Sequence, residues 1–523
     1  MGTEGSGFGP ANTPKVIVVG AGLGGIAAGV TMKKAGINTF TIFEQAASPG
    51  GTWRDNTYPG CEVDVGSYLY SYSFKQRFPW TRTHARQPEI LKYIEEVVDD
   101  YRIRPHVRFG TAVDRARWDE ARQMYQVRLA DGTTEECHVL ISAVGFLNVP
   151  RYPDWPGLED FEGPRFHTFR WEHEHDLRGQ KVAIVGTGST AIQVVPEIAP
   201  DVEKLYVFQR EPGWIIPKGE RDFTEEELIK FHTFRARRRA RIRLYIWLET
   251  MNFARAIHRP GTKANTKLEQ ICRDFIDREL EDRPDLRAAV TPSYPFPGKR
   301  PIFASTFYRA LKSDNVVLVP KAVTEVTPKG IVDVDGEEHQ VDVLIMATGF
   351  QPTNYLASME VTGRDGRTLQ EAWNGEPAAF LGMMVPGFPN FFMLYGPNTN
   401  GGEIIFHLEH QSRFAVRAMK RMMRTGASSV EVRRLVYDRY NRWIQKKMAG
   451  TAWVVSNNYY KAPTGKIVTQ WPYGALFYGL LTNVSGRVSL QARRAPGGHD
   501  VTVSGNGSDR VPAGSVAEGQ AQA

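Results

Sequence analysis

The stretch KVIVVGAGLGGIAAGVTMKKAG, residues 15–36, decides the fold class of this chain. A short apolar run leads into Gly20, Gly22 and Gly25, and a helix-like segment follows. This order predicts a strand, a tight turn and a helix whose N-terminus can face a pyrophosphate. The next predicted strand, in NTFTIFE, ends at Glu44, whose carboxylate can accept hydrogen bonds from a ribose diol. The stretch therefore predicts a dinucleotide-binding unit, with an ordinary glycine turn of an α/β protein as the alternative.

The pattern occurs a second time, in KVAIVGTGSTAIQVVPEIA, residues 181–199. Its loop contains Gly186 and Gly188, with Ala191 at the third position. Arg210 stands at the same spacing from Gly186 as Glu44 does from Gly20. A carboxylate would repel the 2′-phosphate of NADPH, whereas a guanidinium can pair with it through two parallel hydrogen bonds. We therefore assign FAD to the first loop and NADPH to the second.

Other residues bear on the NADPH assignment. Glu211, directly after Arg210, weakens it unless its carboxylate points away, and Arg210 itself has a second interpretation as a solvated residue at a strand end. Three hydroxyl side chains in or near the loop are candidates for pyrophosphate binding, although such hydroxyls often only cap helices. These are Thr187, Ser189 and Thr190.

Two further apolar runs end in small-residue turns, HVLISAVGFLNVP at 138–150 and DVLIMATGFQP at 342–352. We interpret them as the strands at which the chain crosses between the two nucleotide units. The predicted fold is α/β, with two nested Rossmann-like dinucleotide-binding domains and an inserted helical subdomain. The predicted parts are an FAD-binding domain (1–149 and 353–523), an NADPH-binding domain (150–221 and 300–352) and a helical subdomain (222–299). Residues 1–13 and about 494–523 are expected to be disordered.

Composition excludes several classes of protein. The 523 residues include 65 Lys and Arg against 58 Asp and Glu, a mild excess that suits an anionic small ligand as well as it suits nucleic acid. The three cysteines are far apart and form no CxxC pair, which argues against a disulfide reductase and against a metal site. The start of the chain lacks the features of a secretory signal, and no apolar run is long enough to insert stably into a membrane. We expect a cytoplasmic protein.

The basic stretch FRARRRARIRLYIWLETMNFARAIHR, residues 234–259, invites a nucleic-acid or membrane interpretation. Its neighbouring segments are acidic, so we predict no nucleic-acid partner and interpret the stretch as helices with a solvated face. Contact with a membrane surface stays open as the alternative.

The segment FEGPRFHTFRWE, residues 161–172, lies between the two loops and resembles the FxGxxxHxxxW fingerprint of type I Baeyer–Villiger monooxygenases. The matching positions are Phe161, Gly163, His167 and Trp171. The family pattern continues with Pro or Asp, whereas Glu172 follows here. Related flavin N- and S-oxygenases usually have Tyr or Phe where Trp171 stands.

A second family signature is similar to GGTWRDNTYPGCEVD, residues 50–64. The resemblance implies that FAD-binding residues lie there, namely Gly51, Thr52, Trp53, Tyr58 and Asp64. YPFPGKRPIF looks like the family's KR segment, with Lys299 and Arg300. Segments 386–399 and 468–472 resemble members that oxidise aryl ketones, such as 4-hydroxyacetophenone monooxygenases. The resemblance covers about residues 14–480.

The resemblance implies an FAD- and NADPH-dependent enzyme that inserts one oxygen atom of O2 next to a ketone carbonyl, through a C4a-peroxyflavin, to give an ester or lactone. Arg300 would stabilise the negative charge that develops, Asp64 would hold Arg300, and Lys299 would assist Arg210 at the 2′-phosphate. Tyr459 stands where many members carry a tryptophan in the loop that closes over NADP. The expected partners are a small ketone and O2, with the chain as a monomer or homodimer.

Segment 161–172 is then positioned to act as a hinge, in which Gly163 permits the turn, His167 links the domains and Trp171 packs the joint. The alternative is that His167 and Trp171 are core residues of an interdomain strand. Two other functions stay open for the whole chain. One is an N- or S-oxygenase of the same class, and the other is a dinucleotide-binding redox sensor that does not oxygenate.

Overall fold

The computed structural model describes residues 13–251, 253–486 and 488–494. Apart from residues 13 and 494, the terminal segments expected to be disordered lie outside the described residues. The strands are β1 (Val16–Val19), β2 (Phe40–Phe43), β3 (Val107–Arg108), β4 (Val113–Asp119), β5 (Met124–Leu129), β6 (Thr134–Cys137), β7 (Val139–Ser142), β8 (Arg165–His167), β9 (Lys181–Val185), β10 (Lys204–Phe208), β11 (Ile215–Ile216), β12 (Ile302–Phe303), β13 (Val316–Val319), β14 (Val323–Thr327), β15 (Gly330–Asp333), β16 (Glu338–Gln340), β17 (Val343–Met346), β18 (Glu360–Thr362), β19 (Phe391–Met393), β20 (Ser429–Val432) and β21 (Leu490–Arg493). The α-helices are α1 (Leu23–Lys34), α2 (Thr52–Asp55), α3 (Gln87–Asp100), α4 (Ser189–Ile198), α5 (Glu225–Phe231), α6 (Phe234–Met251), α7 (Lys263–Glu279), α8 (Pro284–Val290), α9 (Phe307–Ala310), α10 (Leu369–Trp373), α11 (Ile404–Thr425), α12 (Arg434–Met448), α13 (Ala452–Val455) and α14 (Ala475–Ser485).

The first glycine loop belongs to a parallel sheet of order β19-β7-β1-β2-β3. All four residues of β1 are buried, as expected for a central strand that helices cover on both faces. The helix α1 follows β1 directly and packs against α11. The loop between β1 and α1 therefore lies at the carboxyl edge of the sheet, where α/β folds bind ligands.

The second glycine loop belongs to another parallel sheet, of order β13-β10-β9-β17-β8. The loop joins β9 to α4, and α4 packs against α9. Helices α5 to α8 are inserted between β11 and β12. The predicted α/β fold class, with two such units and an inserted helical part, is confirmed.

The chain passes between the two sheets through two segments that lie side by side. Arg151 N donates to Gly349 O at 2.8 Å, and Gln351 N donates to Val149 O at 3.1 Å. Pro150 faces Phe350 in an antiparallel bridge. The strands before these segments, β7 and β17, belong to the first and second sheets respectively.

Beside the two parallel sheets lie a mixed sheet of order β18-β4-β5-β6, in which β18 runs parallel to β4, and an antiparallel sheet of order β14-β15-β16. The pairs β11-β12 and β20-β21 form two small two-stranded sheets. Within the described residues, none of the helices has both the length and the apolar composition that crossing a bilayer requires.

Candidate functional site

The first loop is shaped by close contacts between backbones. Gly20 has φ +101°, and a Cβ there would lie 2.8 Å from the carbonyl oxygen of Ala143, just after β7. A Cβ on Gly25 would lie 1.9 Å from Gly20 O. Helix α1 has Gly22 as its N-cap and no side chain that caps it, so the amides of its first turn are available to an anion.

Glu44 is held at the end of β2 by three hydrogen bonds. Its Oε2 accepts from Ala21 N at 2.8 Å, and its Oε1 accepts from Ala46 N at 2.9 Å and from the Nη1 of Arg54 at 3.0 Å. A carboxylate offers about four acceptor positions, so capacity for a hydroxyl donor is left. The side chain is buried, and its orientation is therefore fixed before a ligand binds.

Segment 50–64 lies against the first loop and reaches α4, the helix that follows the second loop. Gly51 has φ +54°, and a Cβ there would lie 3.0 Å from the Cα of Gly22. Thr52 is exposed at the start of α2, and the buried Trp53 donates to Tyr70 Oη at 2.9 Å. Tyr58 donates to the Oε1 of Gln193, in α4, at 3.1 Å.

Gln193 holds this segment to the second unit, a role that no sequence pattern indicated. Its Nε2 donates to Glu62 O at 3.0 Å, and its Oε1 also accepts from Glu62 N. The carboxylate of Glu62 forms a buried ion pair with the Nζ of Lys218 at 2.6 Å. Tyr58 therefore contacts a helix of the second unit, and burial is the main cause that raises its pKa well above the ordinary value.

The second loop repeats the geometry of the first at its first glycine. Gly186 has φ +115°, and a Cβ there would lie 2.5 Å from Ala347 O, just after β17. Gly188 is the N-cap of α4, and no side chain caps this helix. The hydroxyls predicted to bind a pyrophosphate stand in the loop and the first turn of α4, namely Thr187, Ser189 and Thr190. None of them caps the helix, and the side chain of Thr190 forms a hydrogen bond with Tyr58.

Arg210 follows β10 and is exposed, and it forms no ion pair within the described part of the chain. Glu211 does not face it, because its carboxylate pairs with the ammonium group of Lys299. The carboxylate of Glu211 is therefore directed away from Arg210, and it does not oppose the binding of a 2′-phosphate there. It also leaves Lys299 partly neutralised, which weakens the predicted role of Lys299 as a second cation.

Arg300 and Asp64 meet although 236 positions separate them in the sequence. The Nη2 of Arg300 lies 2.8 Å from the Oδ2 of Asp64, and the two side chains are 41% and 16% exposed. Desolvation lowers the pKa of Arg300, but the Asp64 carboxylate, together with Tyr459, raises it more, and the net shift is upward. The guanidinium is therefore a permanent positive charge, and it offers further donors besides the one that contacts Asp64.

Tyr459 lies beside this pair, in a loop that packs on the KR turn. The Nδ2 of Asn458 donates to Gly298 O at 2.9 Å, next to Lys299. Tyr459 is 45% exposed, and its ring meets the ring of Tyr460 edge-on, with centroids 4.7 Å apart. A partly exposed aromatic side chain thus stands close to Arg300.

Tyr395 is a further residue of this region, in the segment FFMLYGPNT that the family resemblance marked only as a whole. It adopts φ +59°, its amide is bound by the Oε1 of Gln411 at 2.7 Å, and its hydroxyl donates to the Oδ1 of Asn400 at 3.2 Å. Burial raises its pKa, and the positive charge of Arg300 opposes that shift, so the two groups are close. A non-glycine residue held at positive φ is uncommon, but the strain cannot be recognised from sequence.

The fingerprint residues surround the paired crossing segments. His167 is buried, and its Nδ1 accepts from Phe169 N at 3.0 Å, which leaves the Nε2–H to donate to Gly349 O at 3.1 Å. Burial lowers its pKa, and the ring is neutral. The side chain thus ties β8 to the crossing segment at 349.

The other three fingerprint residues pack on the second unit. Gly163 is outside the left-handed region, and a Cβ there would lie 2.1 Å from Asp342 O. The glycine is therefore needed for close backbone approach, which differs from the turn predicted for it. Phe161 is buried in an apolar cluster of that unit, and Trp171 contacts Phe166 edge-on at 5.2 Å.

One group of metal-ligand type occurs among the described residues, Asp333, Glu337 and His339. The ammonium of Lys321 lies 2.8 Å from the Oδ2 of Asp333 and 3.4 Å from the Oε2 of Glu337. A cation already balances these carboxylates, so the group does not resemble a metal site.

Comparison with known proteins supports one interpretation of this arrangement. The family described as "Pyridine nucleotide-disulphide oxidoreductase" matches residues 17–222, which include both glycine loops. A Baeyer-Villiger monooxygenase of Pseudomonas aeruginosa is 36% identical over 500 residues, covering 92% of this chain and 94% of that protein. A Baeyer-Villiger monooxygenase of Streptomyces coelicolor is 37% identical over 467 residues, covering 88% of each. Among solved structures, OTEMO in complex with FAD and NADP has a TM-score of 0.82 at 27% identity, covering 92% of this chain and 99% of that one.

Proposed function

The chain belongs to the Baeyer–Villiger monooxygenases, enzymes that depend on FAD and NADPH, and from this membership we propose how its own residues divide the work. The loop at Gly20 holds FAD, and the loop at Gly186 holds NADPH. Arg300, held by Asp64, assists the transfer of oxygen to a ketone carbonyl.

The first loop suits FAD because its polar groups are buried and already oriented. The amides at the start of α1 can receive the pyrophosphate, and Glu44 can accept from a ribose hydroxyl. Gly51 brings α2 against Gly22 and closes this end of the cleft. We assign Thr52, Trp53 and Tyr58 to the wall of the same site, with Tyr58 at its border with α4.

The second loop suits NADPH because its cation is free. Arg210 is exposed and unpaired within the described residues, so it can bind a 2′-phosphate without giving up another partner. Lys299 would have to share its charge with Glu211, and we assign it the smaller part. The loop hydroxyls of Thr187, Ser189 and Thr190 face the pyrophosphate in this proposal.

FAD, once bound and reduced by NADPH, supplies the activated form of O2. The task of Arg300 is to stabilise the negative charge that develops on the former carbonyl oxygen of the ketone, since its guanidinium stays charged and directs several donors. One oxygen atom enters between the carbonyl carbon and its neighbour to give an ester or lactone, and the other leaves as water. The observation that carries this proposal is the ion pair of 2.8 Å between Arg300 and Asp64.

We also propose that residues 150–352, except the helical part at 222–299, move as one NADPH-binding unit relative to 1–149 and 353–523. The hydrogen bond between His167 and Gly349 O lies at the point where both connections pass, so His167 is placed to couple the two units. Tyr459 would cover the nicotinamide side of the cleft.

The resemblance of segments 386–399 and 468–472 to aryl-ketone oxidising members leads us to propose aryl ketones as substrates. A panel of aryl, cyclic and linear ketones, together with a thioether, would test this choice by identifying the NADPH-dependent products. We further propose a cytoplasmic monomer or homodimer. All three cysteines are buried and free, which suits a reducing compartment.

The decisive experiment uses Arg300→Ala. We expect NADPH to reduce the bound flavin at a rate close to that of the unchanged enzyme, while ester formation falls by about 100-fold or more, since a directed donor to a developing oxyanion contributes about that much. Arg178→Ala is the matched control, because Arg178 forms an ion pair with Asp176 on the exposed turn before β9. Ester formation by Arg300→Ala at the rate of the control would contradict the proposal.

A further inference from the structure

Helices α6 and α14 meet at the surface of the molecule. The Oε1 of Glu249, near the end of α6, accepts from the amides of Ala475 and Leu476 at 2.7 Å and 3.2 Å, so the helices meet there. Both helices also pack on Phe406 of α11. The Tyr245 ring of α6 lies 5.5 Å from that of Phe406, and a Cβ on Gly479 of α14 would lie 3.0 Å from it.

The outer face of α14 is apolar along its length. Leu476, Leu480 and Val484 recur every four residues and are all exposed, and Phe477 stands beside them. Leu480 has 57% of its surface accessible. A helix of a globular protein normally turns such a row towards the core, so an exposed row of this length marks a surface that contacts an apolar partner.

The outer face of α6 combines positive charge with large apolar side chains. Arg235, Arg239 and Arg243 recur every four residues and are exposed, and none forms an ion pair within the described part of the chain. Ile246 and Trp247 are exposed on the same face, and half of the Trp247 surface is accessible. The single acidic residue of α6, Glu249, is occupied by α14, so nothing on this helix balances the arginines.

We propose that the outer faces of α6 and α14 dock the protein peripherally on a bilayer that contains anionic phospholipids. Guanidinium groups bind lipid phosphates, an interfacial tryptophan lies at the level of the headgroups, and the apolar row of α14 enters the acyl boundary. This is binding to the surface, without a spanning segment.

Charge favours a bilayer over a second copy of this chain as the partner of this surface. In a two-fold symmetric dimer through this surface, the same patch faces itself, which would bring the arginine row of one copy towards that of the other. Like charges brought together at an interface are unfavourable, whereas an anionic surface is complementary to both helices.

The test is sedimentation of the full-length, FAD-loaded enzyme with vesicles. We expect it to sediment with vesicles of equimolar phosphatidylglycerol and phosphatidylcholine, to be released by high salt, and to bind pure phosphatidylcholine much more weakly. Combining Arg235→Gln, Arg239→Gln and Arg243→Gln should weaken binding by about 100-fold, since each charge near the surface contributes about a factor of five. The pair Leu480→Ser and Val484→Ser should weaken it as well.

The matched controls are Arg178→Gln and Val334→Ser, which change an exposed arginine and an exposed valine of the second unit. They should bind vesicles as the unchanged enzyme does, and all variants should oxidise NADPH equally well without vesicles. The proposal is overturned if the unchanged enzyme does not sediment with the anionic vesicles, or if controls and helix variants lose binding alike. A dimer that Leu480→Ser dissociates, without vesicle binding, would assign the surface to a second copy instead.

Discussion

The two glycine loops share one backbone design and differ in what surrounds it. In both, the first glycine has a positive φ and faces the carbonyl of an alanine after a neighbouring strand, Ala143 in one case and Ala347 in the other. In the first loop the charged residue at the strand end is buried and holds three hydrogen bonds, whereas in the second it is exposed and unpaired among the described residues. A site with preformed internal bonds suits a cofactor that stays bound, and an open site suits one that exchanges.

The largest effect is expected from Gly25→Ala, in the first loop. A Cβ there would lie 1.9 Å from Gly20 O, so the turn must open, and we expect a loss of stability of about 3 kcal/mol together with loss of bound FAD. Flavin absorbance after gel filtration and thermal unfolding would measure both. Gly188→Ala, where a Cβ meets nothing within 4 Å, is the control and should keep both properties. Retention of FAD by Gly25→Ala would mean that the first loop is as tolerant as the second.

A buried histidine near the first sheet makes the stability of the protein depend on pH. His407, in α11, is completely buried, and burial lowers its pKa to about 4, against 6.5 in an unfolded chain. Because the native state keeps this ring neutral, stability falls as pH drops from about 6.5 to about 4, by about 3 kcal/mol in all. Urea unfolding of the unchanged protein and of His407→Phe across this range should show a shallower decline for the variant. Parallel curves would contradict the assignment.

Arg210→Ala tests the assignment of NADPH to the second loop. Removing a charge-assisted contact to the 2′-phosphate should raise KM for NADPH by about 10-fold to 100-fold and leave NADH nearly unaffected. Thermal stability should not change, because the side chain is exposed. Steady-state kinetics with both nucleotides would measure this, with Arg178→Ala as control. An equal effect on NADH would contradict a contact with the 2′-phosphate.

The smallest effect is expected from Glu211→Gln. This change releases Lys299 from its ion pair and lets its ammonium act beside Arg210. We expect KM for NADPH to fall by no more than about fivefold, since partly exposed ion pairs contribute about 0.2–1 kcal/mol. A raised KM would show that Glu211 positions Lys299 instead of competing for it. The double variant Glu211→Gln and Lys299→Ala should return KM to its original value.

The fold class followed from local patterns, and the site did so only in part. A strand, a glycine turn and a helix are encoded within about twenty residues, so both loops and the strands β1 and β9 were predictable. The pairing of Arg300 with Asp64 joins distant residues, and only the family resemblance suggested it.

Other contacts were indicated neither by local sequence patterns nor by the family resemblance. The bond of Tyr58 to Gln193 and the ion pair of Lys299 with Glu211 depend on how two separately folded units meet. The need for glycine at position 163 could likewise not be predicted, because the carbonyl that excludes a side chain there belongs to Asp342, which is distant in the sequence.

The pairing of residues 149–151 with 349–351 makes the second unit an insertion whose two ends meet. None of the strands of the sheet β19-β7-β1-β2-β3 comes from the chain between those ends. A short linker could therefore replace the whole insertion without rearranging that sheet. The same geometry would let a lineage exchange one reductant-binding module for another as a single piece, while the flavin-holding half keeps its topology.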